Sequence, residues 1–517
     1  MTSNRNEPWI SSDTSLRFWE TRAFVVLAVL ISTLPLLWPD VPPLTDLPGH
    51  MGRYRIQIDL ENSPALARFY AFEWALIGNL GVDLLVVPLE KLLGLELAVK
   101  LIVVAIPALT VGGFLWVARE VHGRVPPTAL FALPFAYGHP FIFGFVNFAL
   151  SMAFAFLAFA LWLRLARFGR FRLRAALFVP ISVIIWVTHT FGWGALGLMA
   201  FSAEAVRQHH KGRHFLEAAF RAGIHCLSLA PPLLLMLAWR SGQVGGLTGD
   251  WFNWPSKLRW LLTALRDRWQ WFDLASLAAI LLLLAEALRN PRLEYSRNLA
   301  ASALVLLVVF ILLPRIVFGS AYADMRLVPY LLALAVIAIR YRPAATHRYL
   351  RALAVAGIAF FLVRTAGTTA SFWIYDRTYD RELAALDHLP PGARLVSLVG
   401  EHCGRPWAMT RLQHLPGMAV VRRHAFSNDQ WVMAGAQLLR VHYAEGGAYT
   451  KDPSQIVTAR RCPREFYWTV RQSLSRIPRG AFDYVWLIGP PPYDPRLTRG
   501  LLPVWRSGRS VLFRVER

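Results

Sequence analysis

Long uninterrupted apolar stretches dominate this chain, and they restrict it to a fold surrounded by lipid. A bilayer-spanning helix needs about 20 mostly apolar residues at a rise of about 1.5 Å each. Residues 97–117, 145–163, 215–239 and 299–313 approach or meet that requirement. Only 17% of the 517 residues are charged, against roughly 25% in soluble domains. The stretch 23–38 is long enough to remain as an anchor, and no small-residue cleavage site follows it, so no cleavable signal peptide is expected.

The net charge of +23 suggests nucleic acid until its placement is examined. The arginines fall in short clusters between apolar segments: Arg5/Arg17/Arg22, Arg119/Arg124, Arg164 to Arg174, Arg207/Lys211/Arg213, Arg289/Arg292/Arg297 and Arg340 to Arg351. Cytoplasmic loops retain Lys and Arg. If all six clusters share that face, every interval between neighbours crosses the membrane twice, and residues 352–366 add a last crossing leading outward. The charge therefore reports orientation and anionic lipid, not DNA. The expected fold is mainly α, a polytopic transmembrane bundle of about eleven crossings over residues 1–374. An external α/β or α+β domain follows at 375–517. The crossings fall near 23–39, 97–117, 127–140, 144–163, 175–189, 191–206, 215–239, 271–288, 298–318, 327–340 and 350–369. Residues 74–93 are also apolar, but Asn79, Asp83, Pro88 and Glu90 interrupt them, and they read as an interfacial or re-entrant helix.

This topology gathers several features on the outer face. A long first loop spans residues 40–96, far beyond the ~2–8 residues usual between helices. It opens with Pro42 and Pro43 and then Thr45-Asp46-Leu47-Pro48-Gly49-His50, which delivers Asp46 and His50 just past the bilayer edge. A short helix over 51–62 would present Arg53 and Arg55. A tryptophan-rich stretch runs from Trp239 through Trp251, Trp254, Trp260 and Trp269 to Trp271, foremost an interfacial aromatic belt. Arg315, Asp324 and Arg326 precede a later crossing. His139, Asn147 and His189 lie near the outer ends of crossings, where buried polar groups serve either structure or function. His209, His210 and His214 read as part of a basic loop.

An acidic residue delivered by the first helix into a long external loop, followed by a multispan core and an external C-terminal domain, resembles the GT-C class of membrane glycosyltransferases. The resemblance covers architecture along most of the chain, with Asp46 in its Thr-Asp-Leu-Pro-Gly-His setting as the specific element. It implies transfer of a sugar from a polyprenyl-phosphate donor to an envelope acceptor, with inversion. Asp46 would be the base, assisted by His50. Arg53, Arg55, Arg315 and Arg326, with Asp324, would be the donor-binding set. No sequon-binding signature and no second acidic pair that would fix a divalent metal are present. Subfamily, cofactor and acceptor stay open. The competing readings are Asp46 as a helix cap, a transporter or flippase of lipid-linked substrates, and a non-catalytic envelope assembly protein. The expected location is a bacterial inner membrane, with a cytoplasmic N-terminus and a periplasmic C-terminal domain.

In the C-terminal region, strands are expected at 394–399, 418–422, 484–488 and 510–515, and helices at 378–388 and 466–475. No G-x-G-x-x-G or Walker-type phosphate loop occurs. Cys403 and Cys462 both fall there. In an oxidising compartment such a pair is expected to form a disulfide, the alternatives being a metal site or two free thiols. Cys226 lies within a crossing and reads as a small buried hydrophobe.

Overall fold

The computed structural model describes residues 16–243, 246–404, 406–433, 435–463 and 465–516. Arg5 and the Trp239 side chain lie outside the described residues. Helical segments occupy every expected crossing. Among the described residues, five helices are long and apolar enough to cross a bilayer unaided: Leu95–His122, Val146–Arg167, Phe171–Thr188, Gln270–Arg289 and His347–His388. Phe215–Leu229 and Pro231–Ala238 form a sixth candidate, bent by 61° where Pro231 and Pro232 interrupt the helical hydrogen bonding. Arg22–Leu36, Arg297–Leu312 and Met325–Ile337 are shorter apolar helices. Pro127–Tyr137 is a 3-10 helix with all its residues buried. Irregular backbone at membrane depth is tolerated when protein, not lipid, surrounds it. The chain is an integral membrane protein with a polytopic helical bundle.

The six basic clusters meet at one end of this bundle. Arg124 lies 3.8 Å from Glu20, and Arg164 and Arg167 hold Glu120 at 3.2 and 2.7 Å. Arg174 pairs with Glu204 at 3.3 Å, and Arg297 reaches His210 at 3.5 Å. Glu294 takes both Arg340 and Arg342, at 2.8 and 3.0 Å. The Arg17 guanidinium lies 5.1 Å from the Tyr341 ring, which closes the circuit. Strands Leu293–Tyr295 and Ile339–Tyr341 pair antiparallel at the same end. A shared face for the clusters was inferred from charge spacing alone, and these contacts supply its physical basis.

The C-terminal unit holds a six-stranded sheet. In spatial order its strands are Trp468–Thr469, Ile456–Thr458, Leu395–Glu401, Tyr484–Ile488, Ser510–Val515 and Leu501–Ser507. The first four are parallel, and the last two are added antiparallel. Parallel strands buried on both faces explain the apolar runs at 484–488 and 395–399. Two expectations change here: the helix expected at 466–475 starts only at Val470, after strand Trp468–Thr469, and 418–422 is not a strand but part of helix Gly417–Arg423. Met418, Ala419, Val420 and Val421 are all buried, and a short all-apolar run carries no period that separates helix from strand.

The boundary expected at 374/375 falls inside the continuous helix His347–Leu383. The first loop also belongs structurally to the C-terminal unit. Strand Tyr70–Phe72 pairs antiparallel with Leu439–Val441. Ile56, Leu66, Phe69 and Tyr70 share one buried cluster with Val396, Leu398, Val420 and Phe426. Residues 81–93 form a thirteen-residue helix, about 20 Å long at 1.5 Å per residue and too short to span. Arg411 fastens this unit to the bundle. It is 1% exposed, donates to the Pro43 carbonyl at 2.8 Å and pairs with Asp267. Cys403 and Cys462 are joined by a disulfide with Cα atoms 5.4 Å apart.

Candidate active site

Asp46 is placed by its backbone. Its N–H donates to the Phe143 carbonyl at 2.9 Å, and the Thr45 N–H donates to Ile142 at 3.3 Å. The close approach depends on Gly144, which has φ +107° and where a Cβ would lie 2.7 Å from the Asp46 nitrogen. Both constraints favour glycine. Asp46 stands at the N-cap of helix Leu47–Asp59, yet its side chain makes no capping hydrogen bond. The carboxylate is thus spared for another use. It lines a cavity of about 590 Å³ walled by the bundle, the first loop and the C-terminal unit.

Arg326 lines the same cavity and is 8% exposed. Its guanidinium meets His189 Nε2 at 3.4 Å, donates to Ser320 Oγ at 3.1 Å and lies 4.4 Å from the Phe145 ring centroid. Among the described residues no carboxylate forms an ion pair with it. Arg315 also lines the cavity, held by Asp250 on a small flap where Gly249 bridges Ile316.

Three residues from the C-terminal unit complete the acidic side. His414 Nε2 is 4.0 Å from Asp46 and 3.9 Å from Asp452, and its Nδ1 is 3.9 Å from Asp429. Trp431 packs on both His414 and His50, with ring centroids 4.5 and 5.1 Å away. Burial raises the Asp46 carboxyl to about 7, with His414 and Arg326 opposing the rise and Asp452 adding to it. Burial likewise lifts Asp429 to about 6. His50 is pushed well below the ordinary histidine value, first by burial and then by Arg53 and His414. It is therefore neutral at pH 7.

A search of solved structures finds ArnT from Cupriavidus metallidurans, a GT-C glycosyltransferase whose crystal structure holds undecaprenyl phosphate. The likeness covers 95% of this chain and 97% of that one, with a TM-score of 0.50 and 13% sequence identity. The chain has the GT-C fold. No protein-family profile and no curated protein matches the sequence.

Within this GT-C architecture the expected site residues divide. Asp46, His50, Arg315 and Arg326 converge on the cavity. Three others, Arg53, Arg55 and Asp324, are engaged in ion pairs and are not among the residues lining the cavity. Arg53 is buried in an ion pair with Asp83 at 2.9 Å, and Asp83 also accepts from Asn147 at 2.9 Å. Arg55 is taken by Asp59 at 2.7 Å and Glu90 at 3.5 Å. Asp324 caps Met325 at 3.0 Å and pairs with the buried Lys257 at 3.4 Å. Cations already neutralised by carboxylates have little left for a phosphate. Trp251, Trp254 and Trp271 are exposed, as an interfacial belt requires, while Trp260 is buried. Among the described residues no three His, Cys, Asp or Glu side chains are grouped to hold a metal.

His414, Asp429, Trp431 and Asp452 were not found from the sequence. One signal was present: Asp46-Leu47-Pro48-Gly49 recurs in form as His414-Leu415-Pro416-Gly417. Both turns lead into helices, Leu47–Asp59 and Gly417–Arg423. A Cβ on Gly417 would lie 2.9 Å from the Gly49 Cα. The two turns thus cross at their glycines and bring the residue three positions earlier in each face to face.

Proposed function

We propose that the chain is an inverting glycosyltransferase that moves a sugar from a polyprenyl-phosphate carrier to a hydroxyl of an envelope acceptor. The reaction takes place at the membrane face opposite the basic clusters, the periplasmic face of a bacterial inner membrane. The observation that carries this reading is Arg326, a buried guanidinium that forms no ion pair with a carboxylate among the described residues and opens on the same cavity as Asp46. An uncompensated buried cation is costly, and an anionic ligand relieves it. Guanidinium matches phosphate oxygens in bidentate fashion. The undecaprenyl phosphate in the ArnT structure supplies a ligand of that chemistry.

In the reaction, the acceptor oxygen attacks the sugar C1 from the face opposite the phosphate, the C1–O(phosphate) bond breaks, and polyprenyl phosphate leaves as an anion. Asp46, with its carboxyl raised to about 7, receives the hydroxyl proton, since a base works best when its pKa lies near the operating pH. Arg326, aided by Arg315, stabilises the charge gathering on the departing phosphate.

Native mass spectrometry of the full chain in lipid nanodiscs tests the anion site with undecaprenyl phosphate as probe. Arg326→Ala is expected to weaken binding by about tenfold or more, the value of a lost charge-assisted hydrogen bond. Equal binding by wild type and variant contradicts the assignment.

A further inference from the structure

His414 occupies an unusual position. It is 8% exposed, and it stands between one carboxylate of the bundle-side loop and two of the C-terminal unit. Asp429 is fully buried, and among the described residues neither its buried Oδ2 nor the facing buried His414 Nδ1 has a hydrogen-bond partner. Two unmatched polar atoms 3.9 Å apart are costly unless they come together in use. The gap exceeds an N–H···O bond by about 1 Å, within reach of a small side-chain adjustment. On the other edge, one nitrogen, Nε2, faces both Asp46 at 4.0 Å and Asp452 at 3.9 Å. The Asp452 side chain is 27% exposed, so it connects the cluster to water.

We propose that His414 is a positioning and proton-relay residue, taking from Asp46 the proton removed from the acceptor hydroxyl and passing it to Asp452 and solvent. The inference rests on the reading of Asp46 as the base. Asp429 accepts Nδ1–H and holds the ring so that Nε2 is bare. The acceptor O–H bond breaks as C1–O forms, and its proton lands on Asp46. The Asp46 O–H bond then breaks as Nε2–H forms, giving an imidazolium flanked by carboxylates. Nε2–H passes its proton to Asp452, which releases it, and the ring returns to the neutral Nδ1–H form. Asp46 is again a carboxylate, ready for the next acceptor. The relay explains why the C-terminal unit is joined so closely to the first loop: it completes the chemistry of a carboxylate carried elsewhere. The other titratable or charged groups around this cluster are His50, Tyr379, Arg326, Arg315 and Glu465.

The test follows the Asp46 carboxyl by infrared titration of carbon-13 aspartate-labelled full chain in nanodiscs, its band assigned by difference from Asp46→Asn. His414→Gln, which removes the group that opposes the burial-driven rise of Asp46 from 4.0 Å away, should raise the Asp46 midpoint by about one pH unit. Asp452→Asn, at a partly exposed position, should lower it, since Asp452 adds to the rise of Asp46. With a polyprenyl-phosphate sugar as substrate, His414→Gln should reduce kcat about tenfold while KM stays within about twofold, and the acid limb of the pH profile should move up with the midpoint. An unmoved midpoint overturns the relay, as does a loss of rate without any movement of the acid limb. Absence of turnover in the wild type contradicts the transferase reading instead, and the infrared midpoint still decides the coupling of His414 to Asp46.

Discussion

Gly417 and Gly49 are in contact where the first loop meets the C-terminal unit. A Cβ on Gly417 would lie 2.9 Å from the Gly49 Cα, 2.6 Å from the Pro48 carbonyl oxygen and 2.9 Å from Asp429 Oδ2. The backbone oxygen cannot yield without moving the helix start that positions Asp46. Gly417→Ala is therefore expected to destabilise the protein by about 1–3 kcal/mol, the usual cost of overpacking. Thermal unfolding in detergent, scored against Gly480→Ala in the same unit, where a Cβ meets open space, measures it. An unchanged melting temperature for Gly417→Ala would show that the two turns are not tightly packed.

Arg53 and Asp83 are each about as buried as a core leucine, with side chains 3% and 4% exposed. Removing one partner leaves an uncompensated buried charge. Asp83→Ala should cost about 3–5 kcal/mol, while the double change Arg53→Met with Asp83→Leu should recover most of the loss. Undecaprenyl phosphate binding by the double variant should match wild type if Arg53 serves the fold. A loss of binding without loss of stability would return Arg53 to the donor site.

The architecture was legible in the sequence because its determinants are local. Apolar length marks the spans, and arginine spacing marks the end at which they meet. The place of Asp46 at the opening of the first loop was legible for a similar reason: Pro42 and Pro43 follow closely on the first span. The choice among arginines was not legible. Arg53 and Arg326 look alike in a sequence, and what separates them is an ion-paired carboxylate 30 residues away for one and no ion pair among the described residues for the other. His414, Asp429 and Asp452 were hidden by distance, since the contact joining His414 to Asp46 spans 368 positions. Only the repeated Leu-Pro-Gly turn hinted at it. The mistaken strand at 418–422 belongs to the same turn, whose helix packs with both glycines at the crossing.

The contacts among the basic clusters place Gly169 and Ala345 at one end of the bundle, with the site at the other. Single cysteines at Gly169 and Ala345 should be labelled by impermeant thiol reagents only from the cytoplasmic side, and at Ser256 and Gly446 only from the opposite side. The background for this experiment replaces Cys226, Cys403 and Cys462 with serine. Labelling of Gly446 from the cytoplasm would invert the orientation and move the proposed reaction to the other face.

The central claim is that Asp46 is the base of a sugar transfer, and turnover of a polyprenyl-phosphate sugar by wild type and Asp46→Asn tests it most directly. The deprotonated form of Asp46 is the active one, so the wild-type rate should fall as pH drops through about 7, the value to which burial raises this carboxyl. Asp46→Asn keeps the shape but removes the basicity, and it should be inserted and folded, bind undecaprenyl phosphate, and lose turnover by at least about a hundredfold. Wild-type turnover retained in Asp46→Asn, with the same pH profile, would contradict the account.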